Sequence, residues 1–142
     1  MLIRTQPPFS LNFIVGEYTE LVEGDLLEAS LERNGTIHKV SLLPVENAVL
    51  AFFYEDTIKI GTLAVSTPGL REGGAGTSSV LLGGKYLIAA RALSERVAAI
   101  YNKMSIISIN TKLSEGEALR LYASLLDRAR SGTSADLTSA KG

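Results

Sequence analysis

The chain of 142 residues contains no cysteine and no tryptophan, and it has a single histidine, His38. Without thiols, disulfide bonds, thiolate metal sites and cysteine nucleophiles are excluded. One histidine cannot make a two-histidine metal site, and no nucleophile-elbow motif accompanies it. His38 lies in a predicted strand, and we expect its side chain to face solvent. The sequence therefore predicts no enzyme, no metal site and no cofactor.

Long apolar runs are also missing. The longest, AVLAFFY at 48–54, falls well short of the roughly 18 residues that span a bilayer. The first residues, MLIRTQPPFSLNF, lack the continuous apolar core of a secretory signal, and Pro7 and Pro8 interrupt them. We therefore expect a cytoplasmic protein that makes no membrane contact.

Charge is nearly balanced overall but unevenly distributed. Up to Glu72 there are 10 acidic and 5 basic residues, a balance of −5, and from Gly73 onward there are 5 acidic and 9 basic residues, a balance of +4. The net charge of −1 and the lack of a basic patch argue against a nucleic-acid partner. Oppositely charged faces could steer a charged protein partner, although two ordinary solvated surfaces would give the same count.

Period-two alternation predicts strands in the first half of the chain. Residues 25–33, DLLEASLER, alternate apolar and polar side chains, and Asn34-Gly35 favours a type I′ turn into a returning strand at 36–43. Residues 48–54 are apolar on both faces, as in a central strand. A turn at 55–57 then predicts a second hairpin with a strand at 58–65, and a weaker alternation predicts an earlier strand at 10–18.

After residue 85 the apolar period changes to that of a helix. A stripe predicts a helix over 85–104, and the β-branched segment MSIISIN predicts a strand at 104–110. Ser114 and Glu117 form a capping box that starts a second helix. The stripe residues are Tyr86, Ala90, Leu93, Val97, Ile100 and Met104 in the first helix, and Ala118, Tyr122, Leu125 and Ala129 in the second.

The stretch REGGAGTSSVLLGGK at 71–85 raises the possibility of a phosphate-binding loop. A Walker-type loop needs G-x-x-x-x-G-K-[ST], but Ser79 occupies the place of the first glycine and Tyr86 that of the metal-binding hydroxyl. The alternative is a long loop over 66–79 that contacts a protein partner. A phosphate site would require Gly74, Gly76 and Lys85 to line one pocket.

Strands followed by helix, strand and helix favour an α+β fold, with a mostly antiparallel sheet of about six strands and two helices. We assign residues 1–130 to a single domain. The segment 131–142, SGTSADLTSAKG, is small, polar and aperiodic, and it predicts a flexible tail.

The order of features over about 37–130 resembles the third member of the proteasome assembly chaperones. The similarity is carried by the doubly apolar strand, by Ile60-Gly61-Thr62-Leu63 in the next strand, by the small-residue loop, and by Val80-Leu81-Leu82-Gly83 opening a helix. The β-branched strand and the acidic turn into the last helix complete it.

This resemblance implies a non-enzymatic dimer, formed with itself or a related chaperone subunit, that binds proteasome α-type subunits during assembly of the α-ring. It places the partner-binding loop at Arg71, Glu72, Gly73, Gly74 and Gly76. Pairing of sheet faces suggests Val49, Ala51, Phe53 and Leu63 as dimer-interface residues. The chain lacks the C-terminal hydrophobic-tyrosine-X motif of other assembly chaperones. A roadblock or profilin-like scaffold that binds a GTPase is the alternative.

Overall fold

The computed structural model describes residues 26–69 and 76–131, and it confirms the predicted α+β fold. The predicted strand at 10–18 and residues 132–142 of the predicted tail lie outside this range. No helix in the described part is long and apolar enough to cross a membrane. The elements are β1 (Leu27–Arg33), β2 (Thr36–Pro44), β3 (Ala48–Glu55), β4 (Thr62–Thr67), β5 (Thr77–Leu82), α1 (Leu87–Tyr101), β6 (Met104–Asn110) and α2 (Glu115–Ser131).

The sheet has six described strands in the order β1-β2-β3-β6-β4-β5. All neighbours are antiparallel except β3 and β6, which are parallel. The first hairpin is confirmed, because Asn34 and Gly35 have φ angles of 52° and 81° and lie between paired strands. The second predicted hairpin is wrong. The chain does turn at Asp56, with φ 57°, but β6 lies between β3 and β4.

The predicted loop at 66–79 is also shorter than expected. β4 continues to Thr67 and β5 begins at Thr77, so these two strands form a hairpin. Leu81 and Leu82 end β5 and do not open a helix. At Gly83 the φ angle is 113°, and a Cβ atom there would lie 2.5 Å from the Thr62 hydroxyl oxygen. Glycine therefore lets the chain leave the sheet at this point and reach α1.

Both helices lie on one face of the sheet. α1 packs mainly on β4 and β6, and α2 packs on β1 and β2. The predicted stripe of α2 is buried along its whole length, whereas in α1 the buried stripe residues are Ala90, Leu93 and Val97. Met104, predicted at the end of that stripe, instead begins β6. The core thus lies between one sheet face and two helices.

The capping box of α2 is confirmed. The Glu117 amide donates to the Ser114 hydroxyl at 3.3 Å, and the Ser114 amide donates to the Glu117 carboxylate at 3.4 Å. The start of α1 is capped by a residue that is distant in sequence. The amides of Ile88 and Ala89 donate to the Glu115 carboxylate of α2 at 2.6 and 2.8 Å. A carboxylate at this position satisfies free amides and complements the helix dipole.

We expect Glu115→Ala to lower the free energy of unfolding by about 0.5–2 kcal/mol, the range measured for the loss of a helix N-cap. Urea denaturation of the variant and the parent would measure the difference. Glu115→Gln keeps an acceptor oxygen and should lose less. Equal losses in the two variants would show that hydrogen bonding to the two amides does not account for the effect.

Candidate functional site

The face of the sheet opposite the helices is apolar at its centre. Cross-strand pairing places Leu43, Leu50, Ile106 and Val65 in one row across four strands. In the next row, Phe52 of β3 pairs with Ser108 of β6. Leu63 of β4 pairs with the other side of Ser108, and Leu82 of β5 pairs with Leu63. We call this surface the helix-free face and define it by these residues together with Met104: Leu43, Leu50, Phe52, Leu63, Val65, Leu82, Met104 and Ile106.

No described element covers the helix-free face, since both described helices lie on the other side. Met104 and Ile106 each expose 36% of their surface and Leu82 exposes 60%. A contiguous patch of exposed apolar side chains on a sheet is typical of protein interaction sites. Exposure of apolar surface to water is unfavourable, and a bound partner removes that surface from water. The polar margin contains Lys39 and Tyr54, which are paired across β2 and β3.

The predicted dimer-interface residues lie on two different faces. Leu63 is on the helix-free face, where it pairs with Ser108. Val49, Ala51 and Phe53 point into the core beneath the helices and have 0% exposure. They have no surface available to a partner in this fold, so the interface proposed below omits them. Leu50 and Phe52, their neighbours in β3, point the other way and replace them.

The predicted loop residues Arg71, Glu72, Gly73 and Gly74 lie outside the described residues. Gly76 is described, and a Cβ atom on it would lie 1.9 Å from the carbonyl oxygen of Thr67. Glycine is therefore required at position 76, because the backbone there passes too close to Thr67 at the end of β4 for any side chain to fit.

Gly76 and Lys85 lie beyond opposite ends of β5. The strand between them has 6 residues, which corresponds to about 20 Å. They do not line one pocket, and this removes the geometric basis of the phosphate-binding alternative.

The prediction for His38 is wrong, because its side chain is only 2% exposed. In β2 it pairs with Leu31 and Glu55 on the side facing α2. Its Nδ1 atom lies 3.0 Å from the Tyr122 hydroxyl and 3.9 Å from the Glu55 carboxylate. The Tyr122 hydroxyl in turn donates to the carbonyl of Tyr54 at 3.2 Å.

Burial sets the direction of the pKa shifts of His38 and Tyr122, whereas hydrogen bonds set that of Glu55. Burial lowers the pKa of His38 from its ordinary value of 6.5, although nearby Glu55 opposes the shift. Burial raises the pKa of Tyr122 to about 12. Burial also acts to raise the pKa of Glu55, but the amide of Lys112 and the hydroxyl of Thr111 bind its carboxylate and hold the pKa below its ordinary value. The cluster is thus a buried, hydrogen-bonded link between the sheet and α2.

We expect stability to fall as the pH drops below about 6.5, because the unfolded chain takes up a proton at His38 more readily than the folded chain does. Glu55 does not contribute in this window, since its folded pKa is below 4.5. The longer-range charges of Arg33 and Asp56 act on His38 in opposite directions. Melting temperatures at pH 7.5 and 5.5 would test this, with His38→Gln as a non-titrating control that should show a smaller difference.

No group of three or more histidine, aspartate or glutamate side chains in the described ranges is placed to hold a metal ion. Among the other exposed apolar residues, Ile37 lies at the start of β2 on the same face of the sheet as Lys39. Ile58 and Ile60 precede β4, and Leu87 and Ile88 begin α1. The helix-free face is therefore the strongest candidate for a functional surface.

Comparison with known proteins gives a likeness of fold. The chain is similar to a protein in the crystal structure of a novel chaperone complex for yeast 20S proteasome assembly, with a TM-score of 0.51 and 13% sequence identity. The match covers 72% of this chain and 94% of the other. No family model and no curated protein matches the sequence.

Proposed function

We propose that the protein is a non-enzymatic, dimeric chaperone that binds α-type subunits of the proteasome during assembly of the α-ring. The observation that carries the proposal is the helix-free face, an apolar surface that needs a partner. The fold similarity to a chaperone of yeast 20S proteasome assembly supports the same role. The order of sequence features over 37–130 supports it as well, apart from Leu81 and Leu82, which end β5 and do not open a helix.

The proposed dimer stacks two helix-free faces. Six strands at about 4.8 Å spacing and about 20 Å of strand length give a projected area of roughly 500 Å² per subunit. Because side chains make this surface uneven, its accessible area is larger than the projected area and approaches the ~800 Å² per partner of standard protein interfaces. Stacked sheets would lie about 10 Å apart, with the helices of each subunit on the outside. Such a dimer leaves the ends of the strands and the helices free for α-subunits.

Co-expression with the proteasome α-subunits of the same cell tests the proposal. We expect size-exclusion chromatography with light scattering to give a dimer of the chain alone and a stable complex with an α-subunit. The complex should dissociate once β-subunits assemble. A monomer that binds no α-subunit would refute the proposal, and recovery of a GTPase in its place would favour the scaffold alternative.

A further inference from the structure

We propose that a groove between β5 and α1 is a second binding site, which takes an extended segment of a partner polypeptide as an additional strand on β5. This site lies at the edge of the sheet, whereas the proposed dimer uses its face. The inference therefore does not depend on the proposed function.

The two edges of the described sheet differ in charge. β1 at one edge carries Glu28, Glu32 and Arg33 in the sequence LEASLER. β5 at the other edge reads TSSVLL and carries no charge, and among the described strands it pairs only with β4. Charged side chains on an edge strand hinder the addition of a further strand. The β1 edge has this protection and the β5 edge lacks it.

The groove has a helical wall beside the free edge. Ser78 of β5 donates to the Glu95 carboxylate and accepts from Arg91 Nε at 3.2 Å, which holds this side of α1 along the strand. Ile88 in the same wall is 68% exposed. On the α1 side the groove is lined by Leu87, Ile88, Arg91, Ala92 and Glu95, and the Ser78 contacts place these residues beside β5. A strand edge beside a helix is a geometry in which proteins bind extended peptides, through main-chain hydrogen bonds and side-chain pockets.

A bulge limits the length of the site. Val80 pairs with Ala64 and Leu82 pairs with Leu63, so Leu81 is an extra residue in β5. A bulge disrupts regular pairing, which leaves Thr77 to Val80 as the part of the edge that can accept a partner strand. Leu81, with 60% exposure, lies at the end of this part and can contact an apolar side chain of the added segment.

The charges beside the groove indicate the chemistry of the segment. Arg91 is exposed and makes no ion pair within 26–69 and 76–131, and Glu95 accepts a hydrogen bond from Ser78. An uncharged edge next to a guanidinium that donates to Ser78 but makes no ion pair in the described ranges is complementary to a strand that carries a carboxylate at the position facing Arg91. The segment should otherwise alternate apolar and small hydroxyl residues, because successive side chains of a strand point to opposite sides.

An array of acetylated nonapeptides would test this site. Valine, leucine or phenylalanine alternates with serine or threonine, and one glutamate is placed at each position in turn. The labelled full chain is the probe. We expect binding that depends on the glutamate position and is lost when the backbone amides of the peptide are N-methylated. Hydrogen exchange at the amides of 77–80 that point away from β4 should be fast in the free chain and slow with the best peptide.

Leu81→Lys should weaken peptide binding at least 10-fold by placing a charge on the edge. Ile60→Lys is the matched control, because Ile60 is 57% exposed but lies outside β5, and it should bind as the parent does. Absence of binding, binding that survives N-methylation, or equal effects of the two variants would overturn the proposal. Protection of the amides of 77–80 that point away from β4 in the free chain would also overturn it, because a second copy or the chain's own residues would then occupy the edge.

Discussion

Replacement of Tyr122 by alanine is expected to lower the free energy of unfolding by about 4 kcal/mol, as for other large aromatic residues removed from a core. Tyr122 has no exposed surface, and its ring packs edge-on against Phe53 and His38 at centroid distances of 5.6 and 5.7 Å. The loss is a large part of the roughly 5–15 kcal/mol that stabilises a typical domain. Urea denaturation followed by circular dichroism would measure it.

Two tyrosine-to-phenylalanine variants separate packing from hydrogen bonding. Tyr122→Phe keeps the ring but removes a hydroxyl that contacts His38 and the Tyr54 carbonyl, and it should cost about 1–3 kcal/mol. Tyr101→Phe is the control, because the buried hydroxyl of Tyr101 has no hydrogen-bond partner within the described part of the chain. That variant should be neutral or slightly stabilising. Similar losses in both would contradict a specific role for the Tyr122 hydroxyl.

Ile106→Lys is expected to weaken the proposed self-association at least 100-fold, or by about 2.8 kcal/mol. Ile106 lies in the central row of the helix-free face, between Leu50 and Val65. In the monomer its side chain is 36% exposed, so a lysine there can reach water and the fold should tolerate it. In a face-to-face dimer the same ammonium group would be buried without a partner, and this accounts for the loss.

Sedimentation velocity over a range of concentrations would give the dimer dissociation constants. Ile58→Lys introduces the same charge at a residue that is 49% exposed and lies outside the strands, and it should dimerise like the parent. Equal melting temperatures for the two variants would rule out unfolding as the cause. Unchanged dimerisation of Ile106→Lys would show that the helix-free face is not the interface.

Local patterns were sufficient to predict most of the described elements. The Asn34-Gly35 turn, the strand at 104–110 and the Ser114 capping box depend on neighbouring residues, and all three are present. The insertion of β6 between β3 and β4 depends on contacts between residues far apart in sequence, so the turn at Asp56 led to a wrong pairing. β5 was missed because its small polar residues resemble a loop.

The orientation of β3 was the main obstacle to predicting the site. Phe52 and Phe53 are adjacent and both apolar, so alternation alone does not indicate which of them faces the helices. Only the packing of α1 and α2 decides this, and it places Phe53 in the core. For His38, the alternation did not reveal that a tyrosine 84 residues later in the chain would supply a buried hydrogen-bond partner.

The position of β6 has a consequence for synthesis on the ribosome. The strands β1 to β3 form one antiparallel group and β4 with β5 another, and in the described sheet only β6 joins the two. Each group can pair as soon as it emerges, but the central strand is not available until Asn110 has been translated. Until then both groups have an unpaired edge, and the nascent chain is most exposed to aggregation during this interval.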